Sequence, residues 1–447
     1  MAAVLTRDQV LALAPDSASA KAALGLLSDA SWPTLGMHAD AVWGECKGSG
    51  SKPYQTQVEL GTLVSRCSCP SRKFPCKHGL ALLLLYAQGH ARVVDAAMPI
   101  WVSEWLASRR DKAVKKEQAA ADKVPVDPEA AAAAAQKREA ARWKRIVAGT
   151  TELQRWIADQ FRRGLARFGQ GQRQEWRAMA ARMIDAQAPG LARPLEQALA
   201  AMKAGSERHE EVIAQFGLLQ LVNEAVSRRA QLSPARLTDL RAVLGWSPDR
   251  EEVIALGDSI DDAWLVLGQI TSSEDERLSE RRVWLRGRDS GRDALLLDYA
   301  YQGKRWESAW FTGVTYQARL SFYPGSVPLR AQASEAVAGG KMPWPQGRAA
   351  ESIESASLRF AANPWLPCVP MLLSDAIPRW HQQRWQLQTQ EHVFPLRLSE
   401  EAGWSLLAFS GGHPVHVMGE WDGQHLYALS ARSCAEDARD GIWEASA

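Results

Sequence analysis

Near the N-terminus, apolar residues recur at helical spacing: Val10, Leu11 and Leu13, then Ala22, Ala23, Leu26 and Leu27. Pro15-Asp16-Ser17 separates the two groups, which predicts two short helices with Asp16 or Ser17 capping the second. Ser31-Trp32-Pro33-Thr34 ends that pair, and the pattern then becomes strand-like. Val42-Trp43-Gly44-Glu45-Cys46-Lys47 and Tyr54-Gln55-Thr56-Gln57-Val58-Glu59-Leu60 flank Gly48-Ser49-Gly50-Ser51, a hairpin signal. Gly79-Leu80-Ala81-Leu82-Leu83-Leu84-Leu85-Tyr86 is apolar on every side, as in a buried helix. Pro99-Ile100-Trp101-Val102-Ser103-Glu104-Trp105-Leu106 reads as a short helix or docking turn.

Residues 107–141 break the pattern. Mixed charges lead into an alanine run interrupted by Val124-Pro125-Val126-Asp127-Pro128, as in a low-complexity linker. Asp127-Pro128-Glu129 followed by alanines is a good helix start, so the second half is expected to hold a lone helix. The N-terminal region is expected to move relative to the chain beyond this linker. Helical spacing returns with Trp143, Ile146, Val147, Leu153, Trp156, Ile157 and Phe161, and continues through Trp176–Ile184, Leu195–Met202, Val212–Val226 and Leu237–Leu244. An antiparallel helical bundle or a helical repeat array over 142–250 is the expectation, although no clean repeat period emerges. From about residue 258 the period is two. Strands are predicted at Trp264-Leu265-Val266-Leu267, Arg282–Arg286, Ala294–Tyr299, Ala318–Tyr323, Val393–Leu398, Trp404–Phe409 and Val415–Glu420, the last joined to Leu426-Tyr427-Ala428-Leu429 by Asp422-Gly423. Residues 331–357 read as a loop or short helix. The C-terminal part, 251–447, is therefore expected to be an antiparallel β-rich sandwich or barrel.

With 447 residues the chain has room for two to four domains, and its net charge of only +2 supplies no global field for nucleic acid. No apolar run is long enough for a bilayer, and no signal-like leader stands out in residues 1–20, where Arg7 and Asp8 interrupt the apolar stretch. A cytoplasmic location is expected, with thiols reduced.

The most specific chemistry lies in Cys67-Ser68-Cys69-Pro70-Ser71-Arg72-Lys73-Phe74-Pro75-Cys76-Lys77-His78. Thiolates and a neutral imidazole are favoured zinc ligands, and a closed four-ligand set makes a structural site. Residues one apart on an extended chain point the same way, so Cys67 with Cys69, and Cys76 with His78, each grip one side of a tetrahedron. Disulfides are the competing reading and need an oxidising compartment. Cys46 is a nearby thiol that reads as a buried hairpin residue.

These residues resemble a SWIM-type zinc finger: Cys67, Cys69, Cys76 and His78, with Cys-Pro-Ser early, Cys-Lys-His at the end and two strands upstream. The resemblance covers roughly residues 38–90 within an N-terminal region of 1–106. It implies a ββα finger holding one structural Zn²⁺. At family level it implies DNA binding or protein contacts, and for stand-alone bacterial proteins an association with MoxR-type AAA ATPases and von Willebrand A-type proteins. The expected fold class is α+β multidomain, with finger, helical region and C-terminal antiparallel β-rich domain.

Arg66, Arg72, Lys73 and Lys77, with Lys47 and Lys52, make a basic face around the finger. They read either as a contact for phosphates or an acidic partner, or as a solvated surface offsetting the charge of metal-bound thiolates. The bundle's many arginines carry the same two readings. A phosphate loop, an H-E-x-x-H helix and a nucleophile elbow are absent, and His209-Glu210-Glu211 lacks the second histidine. His413, His416 and His425 lie across the last hairpin, where His416 and His425 would face each other, but no cysteine accompanies them. Asp261-Asp262 and Glu400-Glu401 read as turn and cap residues, and Cys368 and Cys434 as core thiols. The function expected is a zinc-binding, non-catalytic interaction or adaptor protein whose finger contacts a protein partner, with DNA binding through the basic face as the alternative.

Overall fold

The computed structural model describes residues 7–14, 17–39, 41–48, 52–71, 75–121, 128–164, 173–203, 209–275, 278–301, 306, 308–340, 342–434 and 441–445. The fold is α+β and multidomain: an N-terminal strand region, a helical region, and C-terminal sheets.

The N-terminal region begins with two short helices, α1 (Arg7–Ala12) and α2 (Ser17–Leu24). A four-stranded antiparallel sheet comes next, in order β1 (Thr34–His38), β2 (Ala41–Cys46), β3 (Tyr54–Glu59) and β4 (Ser65–Cys67). The hairpin expected from sequence is the central pair, and β1 and β4 extend it on either side. Helix α3 (Lys77–Ala87) has every residue from 78 to 85 buried. It can be apolar all round because it is enclosed: the sheet lies on one side, and Val10 of α1 and Ala23 of α2 on another. Helix α4 (Ile100–Ala121) presses Val102, Trp105 and Leu106 onto Ala41, Trp43 and Val64 across the sheet. Arg109 Nε donates to Glu59 Oε2 at 3.0 Å and pins this helix further.

The expected linker, 107–141, is largely helical among the described residues. Helix α4 runs on to Ala121, and α5 (Pro128–Arg163) starts at the Pro-Glu-Ala signal and continues unbroken into the bundle. Alanine has the highest helix propensity, so a run of low complexity here makes helix rather than coil. Helices α6 (Arg173–Asp185), α7 (Ala192–Lys203) and α8 (His209–Ser227) complete a bundle in which each helix packs on the next and α8 returns to α5. Trp176, Phe216, Ile146, Leu195 and Leu219 fill its core. Helices α9 (Pro234–Val243) and α10 (Arg250–Leu256) lead out of it.

Strands β5 (Asp258–Asp275), β6 (Leu278–Gly287), β7 (Asp293–Tyr301), β8 (Thr315–Phe322) and β9 (Arg330–Ala338) form a closed barrel ordered β5-β6-β7-β9-β8. The long β5 pairs with both β6 and β8, and one parallel contact, β7 with β9, closes the ring. A second sheet runs β12 (Val393–Pro395), β11 (Arg384–Gln388), β10 (Val369–His381), β13 (Val415–Trp421), β14 (Leu426–Ser433) and β15 (Ile442–Glu444). Helices α11 (Ala349–Ala362) and α12 (Glu400–Ser410) pack on it.

Three further sequence expectations about the fold need correction. Residues 404–409 are helix, not strand: Ser399 Oγ accepts from Ala402 N at 3.2 Å as N-cap, and Ala402, Leu406 and Ser410 are buried at four-residue steps. Residues 331–357, expected as a loop or short helix, begin instead with most of barrel strand β9 and end in helix α11. The expected independent motion of the finger also fails. Residues 80–85, Leu60 and Leu63 share one continuous core with Trp264, Val266, Val283, Phe311 and Val314 of the barrel region. The backbone N–H of Ala338 on β9 donates to the Gly61 carbonyl at 3.0 Å, joining barrel to finger directly.

Candidate metal centre

Each donor is placed by a local rule. Cys67 ends β4 opposite Thr56 on β3, and the Thr56 hydroxyl donates to its sulfur at 3.1 Å. Cys69 lies two residues on, on the same side, and its backbone N–H points at the Cys67 sulfur at 3.5 Å. Cys76 is the N-cap of α3, its sulfur accepting from Gly79 N at 3.5 Å, so a thiolate there also meets the positive end of the helix. His78, in the first turn of α3 as expected, is 4% exposed and packs against the Tyr54 ring at 5.0 Å.

The four donor atoms lie within 4.8 Å of one another. Cys67 Sγ and His78 Nδ1 are 3.7 Å apart. A tetrahedral zinc with Zn–S of about 2.3 Å and Zn–N of about 2.1 Å sets ligand edges of roughly 3.6 Å, so this separation fits a shared ion. The thiols also show why an ion belongs there. A hydrogen bond with Cys76, and then burial, push Cys67 up to about 11. Cys76 is lowered, chiefly by that same bond. Three thiols and an imidazole brought together compete for one another's hydrogen bonds, and a divalent cation that displaces the thiol protons gives all four donors a common partner. Among the described residues this is the one group of three or more His, Cys, Asp or Glu side chains placed to hold a metal. All six cysteines are free of disulfides.

Two family models match: a SWIM zinc finger over residues 54–87 and a SWIM-associated four-helix bundle domain over residues 141–244. The chain carries a SWIM-type zinc finger. Comparison with curated proteins and with solved structures gives no match. The finger match contains all four donors, and the bundle match coincides with α5–α8 and α9. Cys67, Cys69, Cys76 and His78 of the SWIM finger fit one structural zinc ion. With three thiolates and an imidazole filling a tetrahedron, they leave no open position for a water or substrate.

Other sequence candidates fall elsewhere. Arg66 and Lys77 are exposed beside the site, while Arg72 and Lys73 lie outside the described residues. Cys46 pairs with Tyr54 across the hairpin and is fully buried; burial, then the nearby Cys67, push its thiol up to about 11. It is not one of the clustered donors. His416 pairs with Arg432, whereas His425 sits beyond the Trp421–Leu426 pair at the hairpin's turn, so the two histidines do not face each other. Asp262 accepts from the backbone N–H groups of Asp289 and Ser290 and shapes the β6–β7 turn, and Asp261 pairs with Arg319. Sequence reasoning missed the Thr56 hydroxyl that bonds Cys67. Its signal is a polar β-branched residue on the hairpin strand that pairs with the first ligand.

Proposed function

We propose that the protein is a non-catalytic adaptor, in which zinc fixes the shape of a finger that contacts a protein partner. The observation that carries this reading is the closed donor set: Cys76 and His78 are 5% and 4% exposed, and all four ligand positions are filled by the chain. Such a metal holds a shape rather than activating a substrate. The exposed Arg66 and Lys77 beside it offer that shape a basic rim. The SWIM resemblance directs the choice of partner to a MoxR-type AAA ATPase or a von Willebrand A-type protein.

The test is a binding titration with purified MoxR-type ATPase and, separately, duplex DNA, each at two salt concentrations. Wild type is compared with a variant reversing Arg66, Arg72, Lys73 and Lys77 to glutamate. An adaptor binds the protein, loses it on reversal, and shows no duplex binding. Duplex binding that falls with salt and with reversal identifies a DNA-binding finger instead.

A further inference from the structure

We propose that a cleft on the helical bundle, between the N-terminal half of α5 and the turn after α8, docks an acidic, leucine-containing peptide segment of a protein partner. The cleft has a volume of about 670 Å³ and is lined by Glu139, Ala140, Trp143, Lys144, Val147 and Arg229. Its charge is lopsided. Residues 142–250 carry 18 Lys and Arg against 11 Asp and Glu, in a chain whose total is only +2. Glu139 is the one acid lining the cleft, and it is already engaged by Arg241.

Behind the wall stands a stack of rings and guanidinium groups. Arg229 lies over Trp143 at 5.4 Å, Trp143 meets Trp246 at 5.4 Å, and Trp246 is covered by Arg142 at 4.4 Å and Arg241 at 4.9 Å. A guanidinium packed against a ring is already partly ordered and loses less further entropy when it grips a carboxylate. Arg229 spends one donor on the Val226 carbonyl at 3.2 Å. Arg142 and Arg241 are engaged within the fold, Arg142 Nη2 with the Gln187 and Gly245 carbonyls at 3.4 Å and Arg241 with Glu139, so Lys144 and Arg229 are the cations the cleft presents to a ligand.

The floor decides between peptide and nucleic acid. Trp143 is 8% exposed, so it offers no ring face on which a base can stack. Ala140 and Val147 instead provide an apolar floor for an aliphatic side chain, with the cations at its rim. That is the layout of a helix or strand anchor with flanking carboxylates.

Fluorescence anisotropy on the full-length, zinc-loaded protein tests this, using a dye-labelled peptide of about 12 residues, rich in Glu with two central Leu, against a Glu-to-Gln version and an oligo-dT strand. The acidic peptide is expected to bind and to weaken with salt. Lys144→Glu combined with Arg229→Glu should lower its affinity about tenfold or more, while Arg155→Glu, an exposed site on α5 outside the cleft with the same charge change, should stay within about twofold. Because Arg229 packs on Trp143, Lys144→Glu alone serves if the pair disturbs the fold. No binding by wild type, equal weakening by Arg155→Glu, or tighter binding of oligo-dT with the same sensitivity overturns the proposal. Reversing Arg66 and Lys77 should leave peptide binding unchanged, which separates this surface from the finger.

Discussion

A buried ion pair links the barrel to the C-terminal sheet, beside the apolar core the two share, and gives a sharp test of how the domains hold together. Glu420 on β13 is 6% exposed. Arg282 on β6 grips it with two parallel bonds, Nε to Oε1 and Nη2 to Oε2, both 2.9 Å, and the Trp284 indole N–H adds a third at 2.8 Å. Replacing Glu420 by Leu takes the two-bond partner from a largely buried guanidinium and leaves it Glu280 at 3.0 Å; breaking a buried pair costs about 3–5 kcal/mol. That is a large part of the roughly 5–15 kcal/mol that holds a domain folded. Arg282→Met together with Glu420→Leu removes both charges. The Trp284 N–H is then orphaned, at about 1–3 kcal/mol, while Glu280 loses Arg282 but keeps Arg193 at 3.8 Å, and apolar packing offsets part of the cost. The double variant should therefore be more stable than Glu420→Leu alone by about 2 kcal/mol. Several domains unfold here, so the readout is amide hydrogen exchange along β6 and β13, with denaturant unfolding beside it. A cost below about 1 kcal/mol for Glu420→Leu, or a double variant as damaged as the single one, would refute the reasoning.

Cys76→Ala should expose the amides of β3, β4 and α3 to exchange and lower protection in the barrel strands that share their core, while α5–α8 stay protected; uniform loss across all regions would contradict this division. Leu83→Ala, at a site 1% exposed, should destabilise the same shared core by about 2–5 kcal/mol in denaturant unfolding. Burial raises the pKa of the Glu444 carboxyl above 4.5, and its Oε1 has no hydrogen-bond partner among the described residues to hold the charged form. The folded state thus holds its proton longer than the unfolded one, so stability falls as pH rises from about 4.5 through the folded pKa. Glu444→Gln should remove that fall and stabilise the protein at pH 7; an unchanged pH profile would count against it.

The residues that carry the metal were legible because ligand chemistry fixes both their type and their spacing. The helices were legible where a single apolar face repeated, as in Trp143, Ile146, Leu153 and Ile157. Strand β9 was hidden because its core-facing positions include Ala331 and Ala338, small residues that resemble loop composition. Strand β10 carries Pro370 and Pro378, which argue against a strand in the middle of a sheet. The register resolves this. Pairing with β13 runs from Val369 to Ala376 and pairing with β11 from Ile377 to His381, so each proline has one neighbouring strand only. Local period could not show that the finger and barrel share a core, because that contact joins residues hundreds of positions apart.

Metal content bears most directly on the central claim. Mass-spectrometric metal analysis of the protein purified without added zinc, beside the Cys69→Ser and His78→Ala variants, should give one zinc per wild-type chain and a clear loss in both variants. Wild-type protein with no bound transition metal, or variants that retain a full equivalent, would contradict the account.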